Sequence, residues 1–306
     1  MNRLPSHPSQ LRATPAVLSD RMSDREFRFL SELVRRESGI HLTEAKRTLL
    51  SGRLSRRLRS LGMESVAAYC KHLRADAGGR ELVHLIDAVA TNETRFFREP
   101  DRLDYLKEKV FPLWKQRGAA SASARHLRVW SAACSTGEEP YTLAMLLLDE
   151  FPAESGWSLE ILATDISTTV LARARAAVWP IARSTDVPRE LLRRYMLRGS
   201  GDCAGLMKAG PALRSSVNFR RVNLTAPGYP VAGPFDLIFC RNVLIYFDQE
   251  TKVRVVGSLL DRLAPDGFLF SGHAESLTTF FPDGLKSRSA GVYTRREADH
   301  PRGGLR

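Results

Sequence analysis

The chain has 306 residues and 43% hydrophobic content, enough for one large domain or two modest ones. Its 46 Lys and Arg against 34 Asp and Glu give a formal net charge of +12, which favours an acidic partner without saying which kind. No apolar run approaches the roughly 20 residues that cross a bilayer, and the first 20 residues hold three Pro and no apolar h-region, so neither membrane insertion nor secretion is expected.

Residues 1–22 read as a flexible tail, and 23–115 as a helical domain. Ser23 with Glu26 three residues on forms a capping-box pattern ahead of Phe27, Phe29, Leu30, Leu33 and Val34. Leu50, Leu54, Leu58 and Leu61 recur at helical spacing. Lys46, Arg53, Arg56 and Arg57 make an adjacent basic stripe at about 100° per residue, although a merely solvated face looks the same. Leu82, Leu85, Ile86 and Val89 mark another helix. Cys70, Cys134, Cys203 and Cys240 are scattered without a CxxC pair, so no metal site or disulfide framework is predicted and a reducing cytoplasm is the default.

The run Thr91-Asn92-Glu93-Thr94-Arg95-Phe96-Phe97-Arg98-Glu99-Pro100 reads as a lid or crossing segment. Its aromatics suit the core, while Asn92, Thr94 and Arg98 suit a ligand. Residues 116–126 are small and polar and read as a linker. From 127 to 296 strands alternate with helices: strands at 127–133, 159–165, 235–240, 267–271 and 291–295, helices at 141–151, 168–177 and 251–263. This grammar predicts a doubly wound parallel sheet. Turn signals at 198–205 and 208–211 interrupt it, and about 180–222 reads as an inserted, small antiparallel unit. A basic tail follows at 297–306.

Ligands of open parallel sheets lie beyond the carboxyl ends of the strands. The first strand runs into Ser131-Ala132-Ala133-Cys134-Ser135-Thr136-Gly137-Glu138-Glu139-Pro140. Small residues let a backbone approach a ligand closely, and two acids at a helix start suit a cation better than a phosphate. Those acids also complement the helix dipole on their own. The second strand ends in Asp165, where an acid accepts hydrogen bonds from ribose hydroxyls; it is equally suited to start the next helix, as is Ser167. The third ends in Arg241-Asn242, with Tyr246 four residues on.

Together these motifs closely resemble the CheR family, bacterial chemotaxis receptor methyltransferases that use S-adenosylmethionine. They are Thr-Asn-x-Thr-x-Phe-Phe-Arg-Glu (91–99), Trp-Ser-Ala-Ala-Cys-Ser-Thr-Gly-Glu-Glu-Pro-Tyr (130–141), Ala-Thr-Asp-Ile (163–166), Val-Asn-Leu (222–224), the 235–247 run and Gly-His-Ala-Glu-Ser (272–276). The resemblance spans about 22–295. It departs from the family's Gly-His-Ser-Glu only at Ala274. It implies an N-terminal all-α domain and a Rossmann-like α/β methyltransferase sheet with an inserted β-subdomain. Asn92, Thr94 and Arg98 then line the cofactor site, Glu138 or its neighbour Glu139 meets the amino-acid moiety, and Asp165 meets the ribose. Asn223 and Leu224 flank the adenine, Arg241 and Asn242 close the site, and Arg98 and Tyr246 lie nearest the methyl transfer.

The implied reaction makes a glutamate methyl ester and S-adenosylhomocysteine. The implied partner is the cytoplasmic helical domain of a chemoreceptor, met by the basic stripe, with a receptor C-terminal peptide docking at the 198–205 loop in some family members. A cytoplasmic monomer is expected. A nucleic-acid methyltransferase also suits the charge, but Asn242 is not followed by the Pro-Pro pair common in amino-methylating enzymes, and no base-reading segment stands out, so no nucleic-acid partner is expected. A non-catalytic cofactor-binding sensor is the other alternative.

Overall fold

The computed structural model describes residues 22–296. The two expected tails therefore lie outside the described residues, apart from Met22. Four helices come first: α1 (Asp24–Ser38), α2 (Arg47–Leu61), α3 (Val66–Ala75) and α4 (Arg80–Val89). The capping box forms as expected: the Glu26 carboxylate accepts the Ser23 N–H at 2.7 Å, and Ser23 Oγ accepts the Glu26 N–H. These helices enclose a core of their own around Leu30, Val34, Leu54, Tyr69 and Leu85. Leu61 and Leu82 sit half-buried at its rim. Buried Glu81 of α4 accepts from Arg57 of α2 (2.5 and 2.9 Å) and from the Tyr69 hydroxyl of α3 (2.7 Å), so one carboxylate ties three helices together.

The helical reading of 23–115 breaks over 90–99, which is irregular. Then come α5 (Pro100–Tyr105), a π-helical turn at Leu106–Val110 and α6 (Phe111–Ala120). The 116–126 stretch is helical through Ala120 and then a 3-10 turn at Ala122–Arg125. Ala119 and Ala120 look like loop residues but are good helix formers, and Gly118, a poor one, allows close packing: a Cβ there would lie 2.6 Å from the Trp157 ring.

The second domain holds β1 (His126–Ala132), α7 (Glu138–Glu150), β2 (Ser158–Asp165), α8 (Thr168–Ala176) and β3 (Val178–Pro180). It continues with α9 (Arg189–Tyr195), β4 (Met196–Arg198), β5 (Leu206–Ala209), α10 (Pro211–Ser216) and β6 (Val217–Arg221). It closes with β7 (Phe235–Cys240), α11 (Gln249–Leu260), β8 (Leu263–Ser271), β9 (Leu285–Ser289) and β10 (Val292–Arg295). The main sheet runs β6-β2-β1-β7-β8-β10-β9, parallel from β6 to β8, with β10 antiparallel to both neighbours. The sheet is thus mixed, with an antiparallel edge. Strands β3, β5 and β4 form a separate antiparallel sheet, whereas β6, inside the 180–222 range, belongs to the main one. Alternate residues of β1 enter opposite cores, Leu127 and Val129 on one face, Trp130 and Ala132 on the other.

Candidate functional site

Sheet order reverses at β1, with β2 on one side and β7 on the other. The crevice beyond their carboxyl ends is where such a sheet binds ligands. Here the 90–99 segment and the end of α1 roof it. One cleft gathers Ser38 and Ile40, residues 91–95 and Arg98, residues 133–135 and Glu139, Asp165 and Ile166, residues 222–224, and residues 241–243 with Tyr246 and Phe247. Asn92, Thr94, Arg98, Asp165, Asn223, Leu224, Arg241, Asn242 and Tyr246, all singled out from sequence, therefore meet in one place.

The loops that build the cleft share an unusual backbone. Phe97, Glu99, Ala133, Ser135 and Asn242 all have positive φ, between 50° and 67°. That conformation is costly for residues other than Gly and persists only where the surroundings impose it. The surroundings are visible: Ser135 donates its N–H to Asp165 Oδ2 (2.9 Å) and its hydroxyl to the Asn92 carbonyl (2.8 Å), and Cys134 N–H donates to the Thr164 carbonyl (2.9 Å). Asp165 also accepts the Ser167 N–H at 2.9 Å. Burial raises the Asp165 pKa, and these backbone donors only partly offset it.

Arg241 is buried and fully engaged. It donates to Glu99 Oε2 (3.0 Å), to Glu139 Oε2 (3.4 Å) and to the Arg98 carbonyl (2.6 Å). Burial raises the Glu139 pKa despite Arg241 and the Ser131 hydroxyl. At Glu99 burial is outweighed by Arg241 and Asn242, so its carboxyl is held below the ordinary range. Arg98 lines the cleft with Nη1 on the Glu93 carbonyl (2.9 Å). The helical domain is tied to the cleft through the Glu37 carbonyl, which accepts from Asn223 Nδ2 (2.8 Å), and through the His41 N–H, which donates to the Tyr246 carbonyl (2.8 Å).

Other predicted residues fall elsewhere. Buried Glu138 accepts the Thr136 hydroxyl (2.6 Å) and borders a neighbouring groove; Glu139 is the acid that lines the cleft. That groove also carries Arg53, Arg56 and Arg57. Arg57 is committed to Glu81, and Arg53 to the carbonyls of Val89 and Ala90 and the Thr91 hydroxyl, leaving Arg56 as the exposed member. Lys46 lies in the 3-10 turn before α2, with Nζ 5.6 Å from the Tyr246 ring centroid. Glu99 and Glu275 stand inside recognised motifs, but sequence alone assigns neither a role; Glu275 accepts the Asn242 N–H at 2.8 Å.

Comparison with known proteins agrees with this layout. The model of the CheR methyltransferase SAM-binding domain matches residues 92–292, and that of the CheR methyltransferase all-alpha domain matches 25–90. A chemotaxis protein methyltransferase of Escherichia coli (strain K12) is 40% identical over 258 residues, covering 84% of this chain and 86% of its own. One from Salmonella typhimurium is 39% identical over 260 residues (84% and 85%). Chemotaxis protein methyltransferase 2 of Pseudomonas aeruginosa is 40% identical over 251 residues (82% and 86%).

Proposed function

Since the chain belongs to the CheR family of S-adenosylmethionine-dependent methyltransferases of chemotaxis, we propose that it esterifies glutamate side chains on the helical cytoplasmic domain of chemoreceptors. The observation that carries this reading is the cleft between helical domain and sheet, where Arg98 and Tyr246 stand with the buried carboxylate Asp165 and the half-buried Glu139.

The cofactor supplies a methyl group on a positively charged sulfur. The donor set suits it. Asp165 would take the ribose hydroxyls, because each carboxylate oxygen that holds a backbone N–H keeps a second lone pair. Glu139, with Asn92, Thr94 and Arg98, would hold the charged amino-acid end. Ile166, Val222 and Leu224 offer apolar surface to the base beside Asn223, and Arg241 and Asn242 close the site.

An acceptor glutamate with an ordinary pKa of about 4.3 arrives ionised at neutral pH, so no general base is required. The chain's work is alignment and exclusion of water, which together supply roughly 7–11 kcal/mol in well-oriented reactions. Arg98 would hold one acceptor oxygen by a charge-assisted hydrogen bond while the other faces the methyl group, with Tyr246 orienting the pair. Strand β4 is an edge of the small sheet beside the 198–205 loop, and a receptor C-terminal peptide would add there by strand pairing. Incubation with methyl-labelled cofactor and a receptor cytoplasmic fragment tests the reading. Alkali-labile label on the receptor supports it; no label, or alkali-stable label, refutes it.

A further inference from the structure

The Gly272-His273-Ala274-Glu275 turn after β8 has no role in the reaction described above, yet it ends in a buried acid. Glu275 is only 4% exposed. Its side chain contacts three backbone donors from two separate turns. Oε2 accepts the Asn242 and Gly272 N–H groups, both at 2.8 Å, and Oε1 accepts the Ile245 N–H at 3.2 Å. Its own backbone is fixed as well: the Ser271 hydroxyl donates to its carbonyl (2.7 Å), and its N–H donates to the Gly272 carbonyl (3.1 Å).

The clamped turn is the one that matters for the cleft. Asn242 is held at φ 58°, in the left-handed region that Asn tolerates, and the carboxylate on its N–H fixes it there. Tyr246 lies one residue past the second clamped amide, and its carbonyl accepts the His41 N–H from the helical domain. The turn is thus gripped by Glu275 from the sheet side and by His41 from the helical side. The fit is tight, since a Cβ on Gly272 would lie 2.7 Å from Asn242 Nδ2 and 2.8 Å from Glu275 Oε2.

We propose that Glu275 is a positioning residue for methyl transfer, fixing the 242–246 turn so that Tyr246 and Asn242 stand correctly in the cleft. This rests on the role given to Tyr246 above. Glu275→Gln keeps one acceptor oxygen but sets an NH₂ against a backbone N–H. Misplacement of about an ångström costs on the order of 10–100-fold in rate. Glu275→Gln is therefore expected to lose kcat by that factor, while receptor KM stays nearly unchanged and calorimetric affinity for S-adenosylhomocysteine, which Asn242 helps to enclose, falls by a much smaller factor. Hydrogen exchange should speed up at Asn242 and Ile245 while β7 and β8 stay protected. Gly272→Ala, which presses on the same clamp from outside, should reproduce the pattern if the first variant folds poorly. Wild-type kcat in a folded variant, unchanged exchange at the two amides, or a kcat loss matched by lost product affinity each overturns the proposal. Wild-type protein that fails to label the receptor would instead refute the proposed function, an outcome read before any variant is made.

Discussion

Arg98 and Tyr246 carry the sharpest predictions, because both line the cleft and, among the described residues, the Arg98 guanidinium hydrogen-bonds only to the Glu93 carbonyl. Arg98→Ala and Tyr246→Phe should each lower turnover about 10-fold or more, the scale of one lost orienting contact in a transition state. Calorimetric affinity for S-adenosylhomocysteine should hold in Tyr246→Phe and fall only in Arg98→Ala, which also loses a contact to the amino-acid end; full turnover in both variants would remove them from the mechanism. Glu139 makes a pH-dependent prediction. Burial raises its folded pKa above the ordinary value, so its contribution to stability is fully present below about pH 4 and is lost as pH rises through the folded pKa. Glu139→Gln should therefore gain Tm relative to wild type as pH climbs from 4 to about 8, while cofactor affinity drops. A Tm difference that stays flat with pH would show that the wild-type carboxyl titrates normally. Side chains projecting from strand ends, such as Asp165 and Arg241, were legible in the sequence, since strand pattern and ligand side are coupled. Glu99 and Glu275 were not, because their partners are backbone amides and side chains brought together only by the fold.

At the scale of elements, one salt link decides how α2 is read. Arg57 was expected to face a partner, and it holds Glu81 beneath it. Burial opposes ionisation of Glu81, but Arg57 and Tyr69 outweigh it, so its folded pKa is depressed. The stabilisation is thus present above the unfolded pKa and lost as pH falls through the folded one. Arg57→Ala should cost about 2–3 kcal/mol near pH 7, seen as a lower Tm, and much less near pH 3. A variant with wild-type Tm but raised receptor KM would return Arg57 to the docking face. Long periodic elements were readable: β2, α8 and β7 fall within a residue of expectation, and α1 starts at the capping box. Strand β9 was not, because only Leu285 of its five residues is buried and no alternation marks it. The start of α11 was missed because Asp248, whose side chain accepts the Thr251 N–H, caps it two residues early.

The whole molecule carries +12, and its arginines divide into two populations. Arg57, Arg117 and Arg241 are spent on internal carboxylates. Arg56 on α2, Arg173 on α8 and Arg183 beyond β3 stay exposed along the groove that shares Asn92, Glu93 and Thr94 with the cleft. Charge exposed on a surface acts at long range and is screened over about 10 Å at 0.1 M salt, whereas charge buried in the cleft is screened far less. The two binding events should therefore part company in a salt titration. Between about 0.05 and 0.5 M salt, receptor KM should rise steeply as steering and surface attraction fade. S-adenosylhomocysteine affinity should hardly move, because the acids that hold it lie under the roof of the 90–99 segment. Charge reversal at Arg56 and Arg173 together should flatten the salt dependence of KM and leave product affinity untouched. If KM ignores salt, the excess positive charge has no part in choosing the substrate, and recognition must rest on the apolar and backbone contacts around Tyr246 and β4.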